Sequence, residues 1–546
     1  MKNRKHQDHF DTRRNFLCRS ACASLGVTSV VNTLAHLRLV QSAMAQSAPT
    51  DYKAIVCLFL YGGNDANNML VPTAGTARTN YDTARPTTHP LHISTSAALP
   101  LTAPAGGFNQ ASASSFGLHP SMTHTQGLFN SGDLAFVANV GTLVQPITRA
   151  QYVAVPRTTP VPPQLFSHSD QQLQWQSSIP DKPFQNGWGG RTAELLNSIT
   201  NPTSKVSMNI SIAGQNSFQV GSSVVQYAVS TGGVVGLSGY NATTNPAYNT
   251  GTYGNSANYG VSPVQYAANN SGNTLKALDT ITKLTRLELG ENESHYQHHL
   301  EEGYNDVMKR ARDNEAVVGA SLGSSTAAID AAFAAAFPGV TTLPDVANQL
   351  KMVARLMQGR AALENNRQIF FVSMGGFDTH QNQLTDHATL MGNLDKALKG
   401  FKDAIDAITA AEGSGDLWND TLLFTHSDFA RTLQPNGGIA ASGTDHGWGG
   451  HQIVMGGPVI GQNVYGNFPD LARATGQDVD SNRGRWIPTH AVDQYASVIA
   501  KWFMSQGTSY VPGVTGANIN DIFPNLGRFQ NSLTIPTELS FVDFTV

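Results

Sequence analysis

Gln368-Ile-Phe-Phe-Val-Ser-Met374, broken by Gly375-Gly376 and followed by Phe377-Asp378-Thr379-His380, is the stretch whose reading decides the fold. A second apolar run, Thr421-Leu-Leu-Phe-Thr425, opens onto His426-Ser-Asp428-Phe-Ala-Arg431, and a Gly-rich loop then carries Thr444-Asp445-His446-Gly447-Trp448-Gly449-Gly450-His451. Each run is short and apolar, as a buried strand is, and each ends in an Asp/His cluster. Open α/β sheets hold ligands outside the carboxyl ends of their strands, so these clusters mark one functional edge.

Working outward, residues 345–363 predict a helix just before the first run, and residues 384–410 predict another between the two runs. Strand, helix and strand in that order imply parallel pairing through crossover helices. Far upstream, Tyr52-Lys-Ala-Ile-Val-Cys-Leu-Phe-Leu-Tyr61 reads as a further buried strand and ends in Gly62-Gly63-Asn64-Asp65, where the glycines permit an abrupt turn. Residues 134–140 and 205–212 predict strands, and residues 121–130, 186–196 and 326–336 predict helices. The expected fold class is therefore α/β, a doubly wound, mostly parallel sheet with helices on both faces. Residues 214–273, dense in Gly, Ser, Asn and Tyr and without a clear period, are expected to form an inserted lobe. Residues 275–318 predict a charged surface helix or helix pair, in which His295, His298 and His299 share one solvated face.

Composition narrows the function. A formal net charge of -4 with only 13% charged residues offers no basic field for a nucleic-acid partner. Seventeen His against three Cys favour imidazole and carboxylate ligands over thiolates, as suits a metal site in an oxidising compartment. Residues 1–45 are expected to be a twin-arginine signal peptide: Asp11-Thr12-Arg13-Arg14-Asn15-Phe16-Leu17 precedes an apolar stretch that ends at Ala43-Met44-Ala45. His36 and Arg38 interrupt that stretch, which argues against a permanent membrane span. Cys18 and Cys22 would leave with the signal, so the mature domain, residues 46–546, would keep Cys57 alone and form no internal disulfide. The expected location is periplasmic or secreted, reached through the twin-arginine export machinery.

Asp378 and His380 are separated by one residue, so an extended backbone sends both side chains to the same side. His426 and Asp428 repeat that spacing, and at least one of Asp445 and His446 can turn inward from its Gly-flanked loop. Asp65 fits either a ligand or a turn and N-cap residue. This donor set suits zinc, manganese or iron better than calcium. Ser167 and Ser169, at the start of a predicted helix, fit a cap or a nucleophilic hydroxyl activated by helix dipole and metal. Arg431 fits an oxyanion-stabilising role or an ion pair bracing the Asp428 loop.

Gly62-Gly63-Asn64-Asp65, Gly375-Gly376-Phe377-Asp378-Thr379-His380, Ser427-Asp428-Phe429-Ala430-Arg431-Thr432, residues 444–451 and Val464-Tyr465-Gly466-Asn467-Phe468-Pro469 together resemble the exported bacterial family catalogued as domain of unknown function 1501. The resemblance covers nearly the whole mature chain. It implies kinship with the alkaline phosphatase and sulfatase superfamily, and hence an alkaline phosphatase-like core and a metal-dependent hydrolase site. Carried over, it implies Asp65, Asp378, His380, Asp428 and His446 as ligands of a divalent metal, zinc or manganese. Phe429 departs from the superfamily pattern, which has His at that position, so a complete second metal site is not implied. No motif marks the nucleophile, and Cys57 lies inside a strand, which argues against formylglycine chemistry. The expected function is an exported metal-dependent hydrolase of phosphate or sulfate esters, acting on a small-molecule or glycan ester. The alternative is a non-catalytic metal- or glycan-binding relative at the cell envelope.

Overall fold

All eight residues of strand β1 (Lys53–Leu60) are buried, as its unbroken apolar run requires of a strand covered on both faces. The computed structural model describes residues 51–234, 317–323, 325–413, 415–479, 482–505, 518–529 and 535–545. The expected signal peptide, His295, His298, His299 and most of the expected lobe lie outside the described residues. Apart from Asn518, the described residues belong to one unit of the chain, Pro49–Tyr510 with Ile519–Val546. No helix among them is long and apolar enough to cross a membrane.

After β1 come β2 (Leu70–Ala74), β3 (Leu99–Pro100) and β4 (Ser115–Leu118), which form a small antiparallel sheet of their own. The main sheet recruits β5 (Leu134–Gly141), β6 (Asn209–Ser211), β7 (Tyr227–Ala228), β8 (Arg367–Met374) and β9 (Thr421–Ser427). A hairpin of β10 (Arg431–Pro435) and β11 (Thr444–His446) follows, then β12 (Gly450–Gly456), β13 (Val464–Gly466) and β14 (His490–Ala491). The nine strands lie in the order β13-β5-β12-β9-β1-β8-β6-β7, with β14 also on β5. β1 is parallel to both β8 and β9, as expected. β12 is antiparallel to both its neighbours, β9 and β5. The chain returns from the hairpin to β12 through a few residues, without a crossover helix, and so short a return reverses strand direction. Tyr227–Ala228 falls within the expected lobe, yet as β7 it extends the main sheet beside β6.

Helices cover both faces of the sheet. They include α1 (Thr123–Asn130), α2 (His168–Ser177), α3 (Trp188–Thr200), α4 (Ala327–Ala336), α5 (Asp345–Gln358), α6 (Gln383–Glu412) and α7 (Val492–Met504). On one face, Ala54, Val56, Leu58 and Leu60 of β1 share a core with Phe333, Leu350, Val353, Leu394 and Phe401. On the other face the layer is aromatic. Trp188 of α3 and Tyr495 of α7 pack on Phe424 at ring-centroid distances of 5.4 and 6.4 Å, and Trp175 of α2 packs on His426 at 5.0 Å. His426 and Asp428 thus both meet α2, His426 through Trp175 and Asp428 through His168 and Gln172, but the His426 ring is fully buried in the aromatic layer.

Candidate metal centre

Three elements end at one spot above the carboxyl edge of β1, β8 and β9. The turn after β8 delivers Asp378 and His380, β11 ends on His446, and α2 opens on His168. Gly62 makes their approach possible. Its φ of +113° lies in the region that favours glycine, and a Cβ there would run into the Asp378 amide nitrogen.

Three imidazoles converge on the Asp378 carboxylate. His380 Nε2 lies 3.0 Å and His446 Nε2 3.3 Å from its Oδ1, while His168 Nε2 lies 3.4 Å from its Oδ2. The Nε2 atoms of His380 and His446 are only 2.9 Å apart. Two of the rings are tied from behind. Asp428 Oδ2 accepts from His168 Nδ1 at 2.6 Å, and the Phe166 carbonyl accepts from His446 Nδ1 at 2.7 Å. A proton held on Nδ1 leaves the Nε2 lone pair facing inward, the arrangement by which outer-shell acceptors prepare metal-ligating histidines. His168 Nε2 is buried and makes no hydrogen bond among the described residues. Tetrahedral zinc with ligands at 2.0–2.1 Å places ligand atoms roughly 3.3 Å apart, close to the separations here. One ligand atom each from His168, Asp378 and His446 falls within 4.8 Å of the others, so these three residues fit a divalent cation, with His380 beside them.

Charge is arranged to keep Asp378 ionised. Burial pushes its carboxyl up, and the Arg431 guanidinium at 2.7 Å, aided by His380 and His168, more than offsets this, leaving it below its ordinary value. The bond to Asp428 raises His168 against the opposing effect of burial. Burial lowers His446.

Of the residues singled out in the sequence, Asp378, His380 and His446 come together here. Asp428 stands behind them: its carboxylate accepts from His168, from Gln172 at 2.8 Å and from the Gly62 amide at 3.2 Å. Asp65 is elsewhere in the network. It is fully buried and paired with Arg85 at 2.8 Å, and it accepts from Gln383 on the same oxygen. Burial raises Asp65, but Arg85, His387 and Arg431 bring it below its ordinary value. The Arg431 guanidinium is occupied by Asp378, the Gly62 carbonyl and both the hydroxyl and carbonyl of Thr444, a bracing arrangement. Ser167 is the N-cap residue of α2, but its hydroxyl turns to Asp170 at 2.6 Å, and Ser169 lies on the same carboxylate.

His168, which no sequence motif singles out, joins the cluster from between the two serines considered as nucleophiles. Phe429, standing where the resemblance implies an imidazole, stacks on His446 at 4.6 Å and lies 4.8 Å from His168. The imidazole partner of Asp428 thus comes from α2 and not from the next residue. Fold and cluster define an α/β protein with a His/Asp cluster at the carboxyl edge of a mostly parallel sheet. The chain belongs to the family described as "Protein of unknown function (DUF1501)", whose model matches residues 52–483. No curated protein and no solved structure matches it.

Proposed function

We propose that the chain is an exported metal-dependent hydrolase of phosphate or sulfate esters, with a divalent cation, zinc or manganese, held by His168, Asp378 and His446. The observation that carries this reading is the convergence of three Nε2 atoms on one carboxylate, two of them on rings tied back through Nδ1. When bound there, the cation supplies polarisation of the ester oxygen and a lower pKa for an attacking water. The chain's own residues hold this arrangement in place. Asp428 and the Phe166 carbonyl fix two rings, Arg431 keeps Asp378 charged, and the Phe429 ring shields one side from water. His380, more exposed and 3.4 Å from Asp445 through Nδ1, stands on the open side, within reach of a leaving group that needs a proton. The ester class rests on the motif resemblance, as does a small-molecule or glycan substrate.

Against turnover stands the position of the side chains expected to react. Ser167 and Ser169 face Asp170, and Arg431 is committed within the fold. That observation favours a second reading, a non-catalytic metal- or glycan-binding protein. Metal analysis of the purified protein, followed by assay on nitrophenyl phosphate, bis-nitrophenyl phosphate and nitrophenyl sulfate, separates them. The hydrolase reading expects about one equivalent of metal and activity that a chelator abolishes and metal restores. Stoichiometric metal without turnover would favour the binding protein, and no bound metal would sink the hydrolase. Export belongs to the same proposal: replacing Arg13 and Arg14 by lysine is expected to leave the chain in the cytoplasm on fractionation.

A further inference from the structure

A cleft of about 290 Å3 opens at the N-terminal end of α6 and shares no residue with the metal cluster. Asn68, His119, Gln383 and His387, all buried, form its floor, Leu91 lines a wall, and Leu384 stands at the rim with 41% exposure. The two histidine rings meet edge to face, with centroids 5.4 Å apart. Each has one nitrogen already engaged. The Ser121 amide donates to His119 Nδ1 at 3.1 Å, which puts the proton on Nε2. His387 Nε2 donates to Asn64 Oδ1 at 3.0 Å, which leaves the lone pair on Nδ1. Burial lowers His119 to about 3 and His387 to about 4, so both rings stay neutral through the physiological range. What remains is a mostly apolar recess offering one donor and one acceptor, with no charge on either.

We propose that this cleft binds a small uncharged molecule with an apolar body and a hydroxyl group, an alcohol or a phenol. A hydroxyl both donates and accepts, so one group can serve His119 Nε2 and His387 Nδ1 together. A hydrocarbon of the same shape satisfies neither nitrogen, and a carboxylate loses its hydration to face two neutral rings, with the remaining lining imidazole, His92, already held by Asp82 and Arg78. Gln383 gives the cleft a physical link to the metal centre. Its amide donates to Asp65, its carbonyl accepts from Thr444 at 2.6 Å, and Thr444 accepts from Arg431, which holds Asp378. The binding proposal does not depend on the hydrolase reading.

Equilibrium dialysis of the full chain with radiolabelled phenol, toluene and benzoate tests it. Phenol is expected to bind saturably, and toluene and benzoate at least about tenfold more weakly or not at all, since each of the two hydrogen bonds is worth up to about that factor. His119→Phe, which leaves the hydroxyl only His387 as a partner, is expected to bring phenol severalfold closer to toluene. Leu384→Trp, at an exposed rim position, is expected to abolish phenol binding with an unchanged circular dichroism spectrum. Equal binding of the three probes, absence of saturable phenol binding, or phenol binding that survives both substitutions would overturn the proposal.

Discussion

Asp428 is held by three hydrogen bonds, from His168, Gln172 and the Gly62 amide, and it meets the cluster through the His168 ring. Asp428→Asn removes the charge that holds the proton on Nδ1 and is expected to weaken zinc binding by about 10- to 100-fold. His168→Ala should lose still more. Competition against a chromogenic chelator measures both, and unchanged affinity in the Asn variant would mean that the carboxylate does not orient the ring. At this scale the sequence was informative where a cluster residue follows an apolar run or sits in a Gly-flanked loop: Asp378 and His380 after β8, and His446 in its loop. His168 carried no comparable signal. It joins the cluster only because α2 is folded over β9, and nothing local in Ser167-His168-Ser169 records that packing. Asp65 stands at a strand end as predicted, yet Arg85, from a Thr-, Ala- and Pro-rich stretch with no evident chemistry, claims it.

The turn after β1 is the element on which the cluster depends. Gly62 combines a positive φ with van der Waals contact against the Phe377–Asp378 backbone. Gly62→Ala must therefore push the Asp378 turn away from Arg431, with an expected loss of about 3 kcal/mol and reduced metal content. Denaturant titration reads the first and metal analysis the second; a stable variant with full metal would show that the turn can yield. The segment before α2 is under similar constraint. Gln164 and Phe166 both have positive φ without being glycine, and the Phe166 carbonyl holds His446 while its ring lies 4.3 Å from the Arg485 guanidinium. β1, β8 and β9 were legible because each is a continuous apolar run long enough to span the sheet. The hairpin and the reversed β12 were not, because direction is set by the length of the return path and a glycine-rich loop has no periodicity to show it.

Across the whole molecule, burial has left many imidazoles neutral. It lowers His119, His426 and His451 to about 3, and His387 and His490 to about 4. Their folded values lie below the ordinary 6.5, so the unfolded chain binds more protons as pH falls. The stability they contribute is complete above about pH 6.5 and is lost progressively toward pH 3. For His426 alone, caged by aromatic rings, the loss at pH 5 is about 2 kcal/mol. His426→Phe should therefore retain more of its neutral-pH stability at pH 5 than the parent does. Urea titrations at pH 7 and pH 5 give the comparison, and parallel losses in the two proteins would contradict it.

Phe429 has a bearing on traffic to the cluster. Phe429, 2% exposed, packs on His168 and His446, which keep 31% and 21% of their side chains in solvent, whereas Asp378 and His380 keep 46% and 42%. Among the described residues, the more open approach to the cluster is therefore past Asp378 and His380. An approach that is wider on one side than on the other gives the end group of a molecule easier access than its middle.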